Sequence, residues 1–394
     1  MLKPRKLKGK KIVLAVTGSI AAVETVKLAR ELRRRGAEVI AVMSEAARGI
    51  INPCVLEFAT GREVITEITG RVEHVKYLGS DGEADLLLIA PATANTISKI
   101  AHGITDTSVT IFASSALGSG KKILVAPAMD ESMIKNKALL ENLEKLAELG
   151  IEIVQPRFEE GKAKFADIET ICLQVERALY PKEFTGKRVV VTAGPTFEQI
   201  DPIRFISNRS SGLMGKELAL EFWRRGAEVV LITSKPTGLN LPNFREIRVL
   251  SVKDMLNASI SEVKRGCDLF VSSAAASDFT VDKAEKKIKT CPELTLKLKA
   301  APKIIREIRK IYDGAVIGFK AETGVTDDEL LRVAEEKMIT DKLNMVVAND
   351  VIERGMGTED TRILILTHKR VEWFEGYKWE AAEKIVKTYI EDCL

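Results

Sequence analysis

Small and hydroxyl-bearing residues gather where apolar runs of this chain stop. Thr17-Gly18-Ser19-Ile20-Ala21-Ala22 follows the run Ile12 to Val16, and Ser44-Glu45-Ala46-Ala47 follows Val39 to Met43. Ala90-Pro91-Ala92-Thr93-Ala94-Asn95-Thr96 follows a third run. A hydroxyl and free backbone N–H groups at a helix start can hold a phosphate; the same pattern also reads as a plain helix cap. Gly18 stands alone rather than in a G-x-G-x-x-G series, which disfavours a dinucleotide and leaves a mononucleotide plausible. His74, in a polar stretch before the third run, is either an acid–base group or a structural or surface residue. Met129-Asp130-Glu131, after a fourth run, adds a carboxylate to the same rim.

The second half offers a different set. Pro195 to Lys216 contains Arg204, Asn208, Arg209, Ser210, Ser211 and Gly212 directly before an amphipathic stretch, a strong anion-binding candidate. Ala274-Ala275-Ala276-Ser277-Asp278 follows another apolar run, and its small residues permit close approach by a flat base. Lys287 and Lys289, two apart on an extended chain, share a face and suit a polyphosphate, or are simply solvated.

The elements that must position these residues are written twice. Strand, glycine turn, helix and strand run through residues 9–44, and the plan restarts at 186–234. Even the helix exit recurs: Arg34-Arg35-Gly36-Ala37-Glu38-Val39 against Arg224-Arg225-Gly226-Ala227-Glu228-Val229. The second copy is longer because of an insertion, Pro195 to Arg209, between its strand and helix. Further strands are expected at 84–90, 123–126 and 151–155, then at 247–250, 268–273, 315–319, 345–348 and 362–367, with helices between most of them. The reading is α/β: two doubly wound, Rossmann-like domains over 1–180 and 186–394, with ligands beyond the carboxyl ends of the strands.

Composition narrows the function. Lys and Arg number 60 against 56 Asp and Glu, a net charge of +4, too balanced for a dedicated nucleic-acid binder. Five scattered cysteines without a C-x-x-C pair, and three histidines, exclude a disulfide framework and zinc sites of ordinary spacing. No apolar run reaches the roughly 20 residues of a membrane span. Met1 to Lys11 is basic and runs straight into a strand, so a cytoplasmic protein is expected.

The blocks PATANTISKIA and PAMDESM, with His74 upstream, resemble the homo-oligomeric flavin-containing cysteine decarboxylases; residues 9–180 are similar to their phosphopantothenoylcysteine decarboxylase domains. The resemblance implies FMN held by Gly18, Ser19, Ile20, Ser44, Thr93 and Asn95. It makes His74 the catalytic base and places substrate at Met129 and Asp130. Where the family has Asn this chain has Asp130, which would repel a substrate carboxylate; burial beside that anion would favour its protonated form. The family's flap cysteine has no counterpart in Arg157 to Asp167. Asp130, or a water on it, is the expected replacement proton donor, ahead of Cys54, with Lys162 and Lys164 as further candidates.

The blocks ISNRSSGLMG, AAASDF, KIK, GFKAET and VVANDV resemble the phosphopantothenate–cysteine ligases over 186–394. By that resemblance Arg204 and Asn208 bind the acyl group, and Lys287 acts on the phosphates. Ser211, Gly212, Ala274, Ala275, Asp278, Lys289, Pro302, Phe319, Lys337 and Lys342 bind the nucleotide, with Mg2+ at Asp278. CTP is favoured, but Lys320, in place of the usual Ala, leaves ATP open. Together the halves resemble bifunctional proteins of coenzyme A biosynthesis. Such a protein is expected to be a homo-oligomer, with trimeric contacts through the first half and dimeric contacts through the second, and to have no nucleic-acid or membrane partner. Two alternatives stand: a first half that is only a flavoprotein scaffold, and an NAD(P) oxidoreductase, disfavoured by the incomplete glycine fingerprints.

Overall fold

A computed structural model describes residues 4–159, 162–352 and 354–394, with 158, 159, 162 and 163 described by backbone alone. It contains two compact units, Met1–Tyr180 and Pro181–Leu394.

In the first unit the strands are Lys11–Val16, Glu38–Met43, Leu86–Ala92, Lys122–Pro127 and the short Glu152–Ile153. They form one parallel sheet whose order, numbered along the chain, is 2-1-3-4-5. The first strand shows why both faces must be covered. Ile12, Leu14 and Val16 pack into one core with Leu28, Leu32 and Ile171, while Val13 and Ala15 pack into another with Ile97 and Phe112. A strand buried on both sides reads as a continuous apolar run, and parallel sheets need such cover.

In the second unit Arg188–Ala193, Glu228–Thr233, Phe244–Arg248, Leu269–Ser272, Ala315–Glu322 and Met345–Asp350 lie parallel in the order 3-2-1-4-5-6. Asp360–Thr367 and Val371–Tyr377 extend this sheet antiparallel. The last strand was not expected from sequence, because its alternation (Val371, Trp373 outward) looks like solvated surface. The third strand is at 244–248 rather than 247–250. Two-residue strands Glu198–Gln199 and Phe205–Ile206 turn the insertion into a small hairpin.

Each order has a switch point, where connections leave the sheet in opposite directions and open a crevice at the strand ends. In the first unit it lies between Lys11–Val16 and Leu86–Ala92, in the second between Arg188–Ala193 and Leu269–Ser272.

Candidate functional site

At the first switch point the two strand ends are stapled by Thr17. Its buried hydroxyl donates to the Pro91 carbonyl at 2.7 Å and accepts from the Thr93 amide at 3.0 Å. Three predicted hydroxyls are all helix caps around this edge. Ser19 accepts from the Ala21 amide and donates to the Ala128 carbonyl at 3.1 Å. Ser44 caps Glu45–Arg48, and Thr93 caps Ala94–Ala101. Gly18 is required by contact: a Cβ there would lie 2.6 Å from that of Ala46, so the first turn and the Ser44 helix meet only because the side chain is absent.

A cavity of about 790 Å³ opens beside this edge, lined by Ser19, Ile20, Met129, Asp130, Arg157, Lys164 and Phe165. Its wall includes a small antiparallel sheet in which Lys162–Lys164 pairs with both Met129–Asp130 and Arg157–Glu159. Part of the expected flap, residues 160 and 161, and the side chain of Lys162 lie outside the described residues. Gly18, Ser44, Thr93, Asn95 and His74 do not line the cavity. His74 lies on Glu73–Leu78, edge-on to Phe112 with ring centroids 6.4 Å apart. Its Nδ1 is buried without a hydrogen-bond partner among the described residues.

Asp130 departs from expectation. It was expected to be buried, and the structure exposes it as the cap of Glu131–Ile134, with Oδ1 accepting from the Ser132 amide at 2.9 Å and hydroxyl at 2.6 Å. A short carboxylate can cap a helix as well as the expected Asn, so the substitution keeps the turn. The burial on which a stored proton depended is not there. Arg157, paired with Asp167 at 2.9 Å, and Lys164 bring positive charge to the same cavity. Cys54 is exposed at the start of Pro53–Thr60, outside the cavity.

In the second unit one cavity of about 470 Å³ lies at the switch point. It brings together Asn208, Ser211, Gly212, Ala274, Ala275, Asp278, Pro302, Phe319, Lys320 and Lys337. The insertion is pinned to the fourth strand's loop: the Asn208 side chain donates to the Ala275 carbonyl, and the Ala275 amide donates to that of Gly194 at 2.9 Å. Thr196, fully buried, accepts from the Ser277 amide at 3.0 Å. Helix Leu213–Arg224 presses on the strand ends so closely that a Cβ on Gly215 would lie 2.5 Å from that of Ala193.

Arg204, Lys287, Lys289 and Lys342 lie outside this cavity. Lys342 was expected at the nucleotide. It ends its helix at φ 51° and lines a separate surface pocket with Arg309, whose guanidinium holds the Lys342 carbonyl. Its neighbour Asp341 reaches the switch-point cavity instead, gripping Lys337 at 2.7 Å and Arg306 at 3.4 Å. The irregular segment that carries Lys287 and Lys289 is held at its midpoint. The Ile288 amide donates to buried Asp201 at 3.2 Å, and its carbonyl accepts from Arg204 at 2.7 Å. Burial opposes the Asp201 charge, but the Arg204 guanidinium and the amides of Ile203, Arg204 and Ile288 outweigh it and hold the carboxyl well below its ordinary range. Asp278 is paired with Lys303. Among the described residues no group of three His, Cys, Asp or Glu could hold a metal. Mg2+ is commonly bound through one or two carboxylates and substrate phosphates, so Asp278 at the cavity suits an ion that arrives with a nucleotide.

Sequence reasoning missed Thr17, Gly194, Gly215 and Asp201. Gly194, Gly212 and Gly215 form a glycine fingerprint split by the insertion, with the last two at the expected spacing.

Residues 2–179 match the family described as flavoprotein, and 184–392 match the DNA/pantothenate metabolism flavoprotein C-terminal domain. The chain is similar to the coenzyme A biosynthesis bifunctional protein CoaBC of Thermococcus kodakarensis, 51% identical over 92% of this chain and 90% of that one. Its counterpart in Methanocaldococcus jannaschii is 44% identical over 98% and 94%. A crystal structure of the DNA/pantothenate metabolism flavoprotein from Streptococcus pneumoniae is 26% identical, covers 52% of this chain and 98% of its own, and aligns with a TM-score of 0.47. No helix among the described residues is long and apolar enough to cross a membrane. The chain belongs to the family of bifunctional coenzyme A biosynthesis proteins, enzymes that join a flavoprotein decarboxylase to a phosphopantothenate–cysteine ligase.

Proposed function

We propose that the second unit, from about residue 186, ligates L-cysteine to 4'-phosphopantothenate, and that the first, up to about 180, decarboxylates the product with FMN to 4'-phosphopantetheine. The observation that carries this reading is one chain with two switch-point sites. One has the 2-1-3-4-5 order that suits a mononucleotide, and the other has a cavity joining Asn208, Gly212 and the Ala274–Asp278 loop.

In the ligase unit a substrate carboxylate oxygen attacks the nucleotide's α-phosphorus and pyrophosphate leaves. The cysteine amine then attacks the acyl carbon, the nucleoside monophosphate leaves, and the amine loses a proton. All of these groups are anionic or become so, and the protein's work is to gather and neutralise them. Asn208 fixes the acyl group from the pinned insertion. Gly212 presents backbone N–H groups at the start of a twelve-residue helix. Lys287 and Lys289 reach the phosphates from the segment anchored by Asp201. Mg2+ accompanies the nucleotide near Asp278, and CTP is the preferred donor.

In the flavin unit the capped helix starts at Ser19, Ser44 and Thr93, with Asn95, suit a phosphate and ribityl chain. The unsatisfied His74 Nδ1 fits a site that awaits a ligand. Bound FMN supplies a reversible two-electron acceptor, so no reductant is consumed overall. His74 takes a proton from the substrate, Met129 orients its cysteinyl end, and Arg157 and Lys164 offset the Asp130 carboxylate beside the substrate's own. Ile20 and Phe58, 78% and 76% exposed, are apolar surface suited to copies of the same unit. They favour self-association of the first unit; the proposed protein is a homo-oligomer, trimeric through the first unit and dimeric through the second, working in the cytoplasm.

The test is mass analysis of products from phosphopantothenate, cysteine, Mg2+ and either CTP or ATP. Phosphopantetheine with CO2 and pyrophosphate is expected. Accumulation of phosphopantothenoylcysteine would remove the decarboxylase role, and no pyrophosphate would remove the ligase role, with added phosphopantothenoylcysteine then testing decarboxylation by itself.

A further inference from the structure

The cavity of the second unit contains a cation that the reading above leaves without a task. Lys378 opens the C-terminal helix Lys378–Cys393 and lines the cavity with Asn349, Gly355, Met356 and Thr361. It is only 4% exposed. Its Nζ donates to the Thr358 carbonyl at 2.6 Å. Among the described residues no carboxylate forms an ion pair with it, and Asp360 acts on it only from a distance.

Three costs fall on this one ammonium. Burial disfavours its charged form and pulls its pKa down. It sits in the first turn of a helix, where the macrodipole favours anions rather than cations. Of its three donors, one neutral carbonyl satisfies one. A tie to Thr358 alone needs no charge. An incoming anion relieves all three costs together, and both the nucleotide and phosphopantothenate carry anionic groups.

We propose that Lys378 is a substrate-binding cation of the ligase cavity, which forms an ion pair with a phosphate or carboxylate group of a ligase substrate. This rests on reading the cavity as the ligase site. The same chemistry is available from phosphopantothenate and from the nucleotide, so the test has two arms.

The full chain and its Lys378→Met and Lys378→Arg variants are titrated calorimetrically with phosphopantothenate alone and with CTP and Mg2+. Thermal unfolding is followed without ligand. Losing one charge-assisted contact weakens binding by roughly 10- to 100-fold. That loss is expected for Lys378→Met in one arm, which identifies the source, with partial recovery in Lys378→Arg. The ligand-free midpoint of Lys378→Met is expected to hold or rise, because an unpaired buried charge is gone. Unchanged dissociation constants in both arms overturn the proposal. So does a lowered midpoint with binding intact, which would make Lys378 a structural tie to the Thr358 loop. Wild-type protein that binds neither ligand would instead overturn the reading of the cavity as the ligase site.

Discussion

The two units begin with the same device and finish with different sites. In each, the first helix ends on a buried arginine that pairs with a glutamate one turn back: Arg35 with Glu31 at 3.1 Å, Arg225 with Glu221 at 3.0 Å. In each, that arginine's carbonyl accepts from the segment before the first strand, from the Leu7 amide at 2.8 Å and from the Phe184 amide at 2.9 Å. The repeated part of the sequence is therefore scaffold. It closes the first helix onto the chain entering the sheet, at the edge opposite the ligands. Differences concentrate at the ligand edge. The first unit builds its rim from helix caps stapled by Thr17, whereas the second lays an insertion over the strand ends and pins it through Asn208 and Thr196. Where two copies agree, stability is the common demand; where they part, the chemistry differs.

The largest expected effect separates the chemistries. His74→Asn removes the proposed base from the first unit and should slow CO2 release by roughly 100- to 10,000-fold. Pyrophosphate release should stay at the wild-type rate, because nothing in the second unit changes. Asn208→Asp is the mirror experiment. It sets a negative charge beside an anionic acyl group, so ligation should fall while added phosphopantothenoylcysteine is still decarboxylated. Product chromatography with each starting substrate reads both. If either variant lost both activities, the units would be coupled and the comparison would fail.

The next effect grades the shared device. Arg35 is held by three carboxylates, adding Glu176 at 2.7 Å and Glu169 at 2.6 Å, and Glu176 is fully buried. Arg225 also pairs with Glu183, which is a third exposed. Removing the cation from a buried ion cluster costs about 3–5 kcal/mol. Arg35→Ala should fall at the upper end of that range and Arg225→Ala at the lower, since Glu183 can rehydrate. Calorimetric unfolding of the full chain checks the order, and equal losses would mean that the extra carboxylates around Arg35 add nothing.

Much of this was legible in the sequence, for identifiable reasons. Continuous apolar runs and period-three-to-four patterns located the strands and helices because both faces of each sheet are covered. Most of the nucleotide-side residues fell into one cavity because the loops after successive parallel strands share an edge. Contacts between remote residues were not legible. Asp341 rather than Lys342 faces the cavity, a matter of one residue's rotation at a helix end that periodicity does not resolve. Asp130 pairs with a flap strand more than thirty residues away, a contact that its local motif does not encode. Gly194 seemed unrelated to Gly212 and Gly215 because the insertion separates in sequence what the fold brings together. His74 lies off the cavity lined by Asp130, which no local motif indicates.

The smallest expected effect tests whether pinning the insertion serves the chemistry. Asp201 is buried, and its carboxylate receives the amides of Ile203 and Arg204 at 2.8 Å, the Arg204 guanidinium at 2.6 Å and the Ile288 amide at 3.2 Å. It thus joins the insertion to the segment carrying Lys287 and Lys289. Asp201→Asn keeps the shape but trades a charged acceptor for a neutral amide. The lysine segment should loosen and ligation should slow several-fold, far less than in a variant that removes Lys287 itself. The pH dependence separates this from a general loss of stability. A carboxyl held below its unfolded value stabilises the fold fully above that value, near pH 4, and loses the contribution as pH falls further. The gap in unfolding midpoint between wild type and Asp201→Asn should therefore stay constant from pH 8 to about 5 and narrow below about 4. Decarboxylation of added substrate should be unchanged throughout. A gap that widened on acidification would mean that Asp201 is not the ionised hub, and the pinned insertion would then lack its electrostatic anchor.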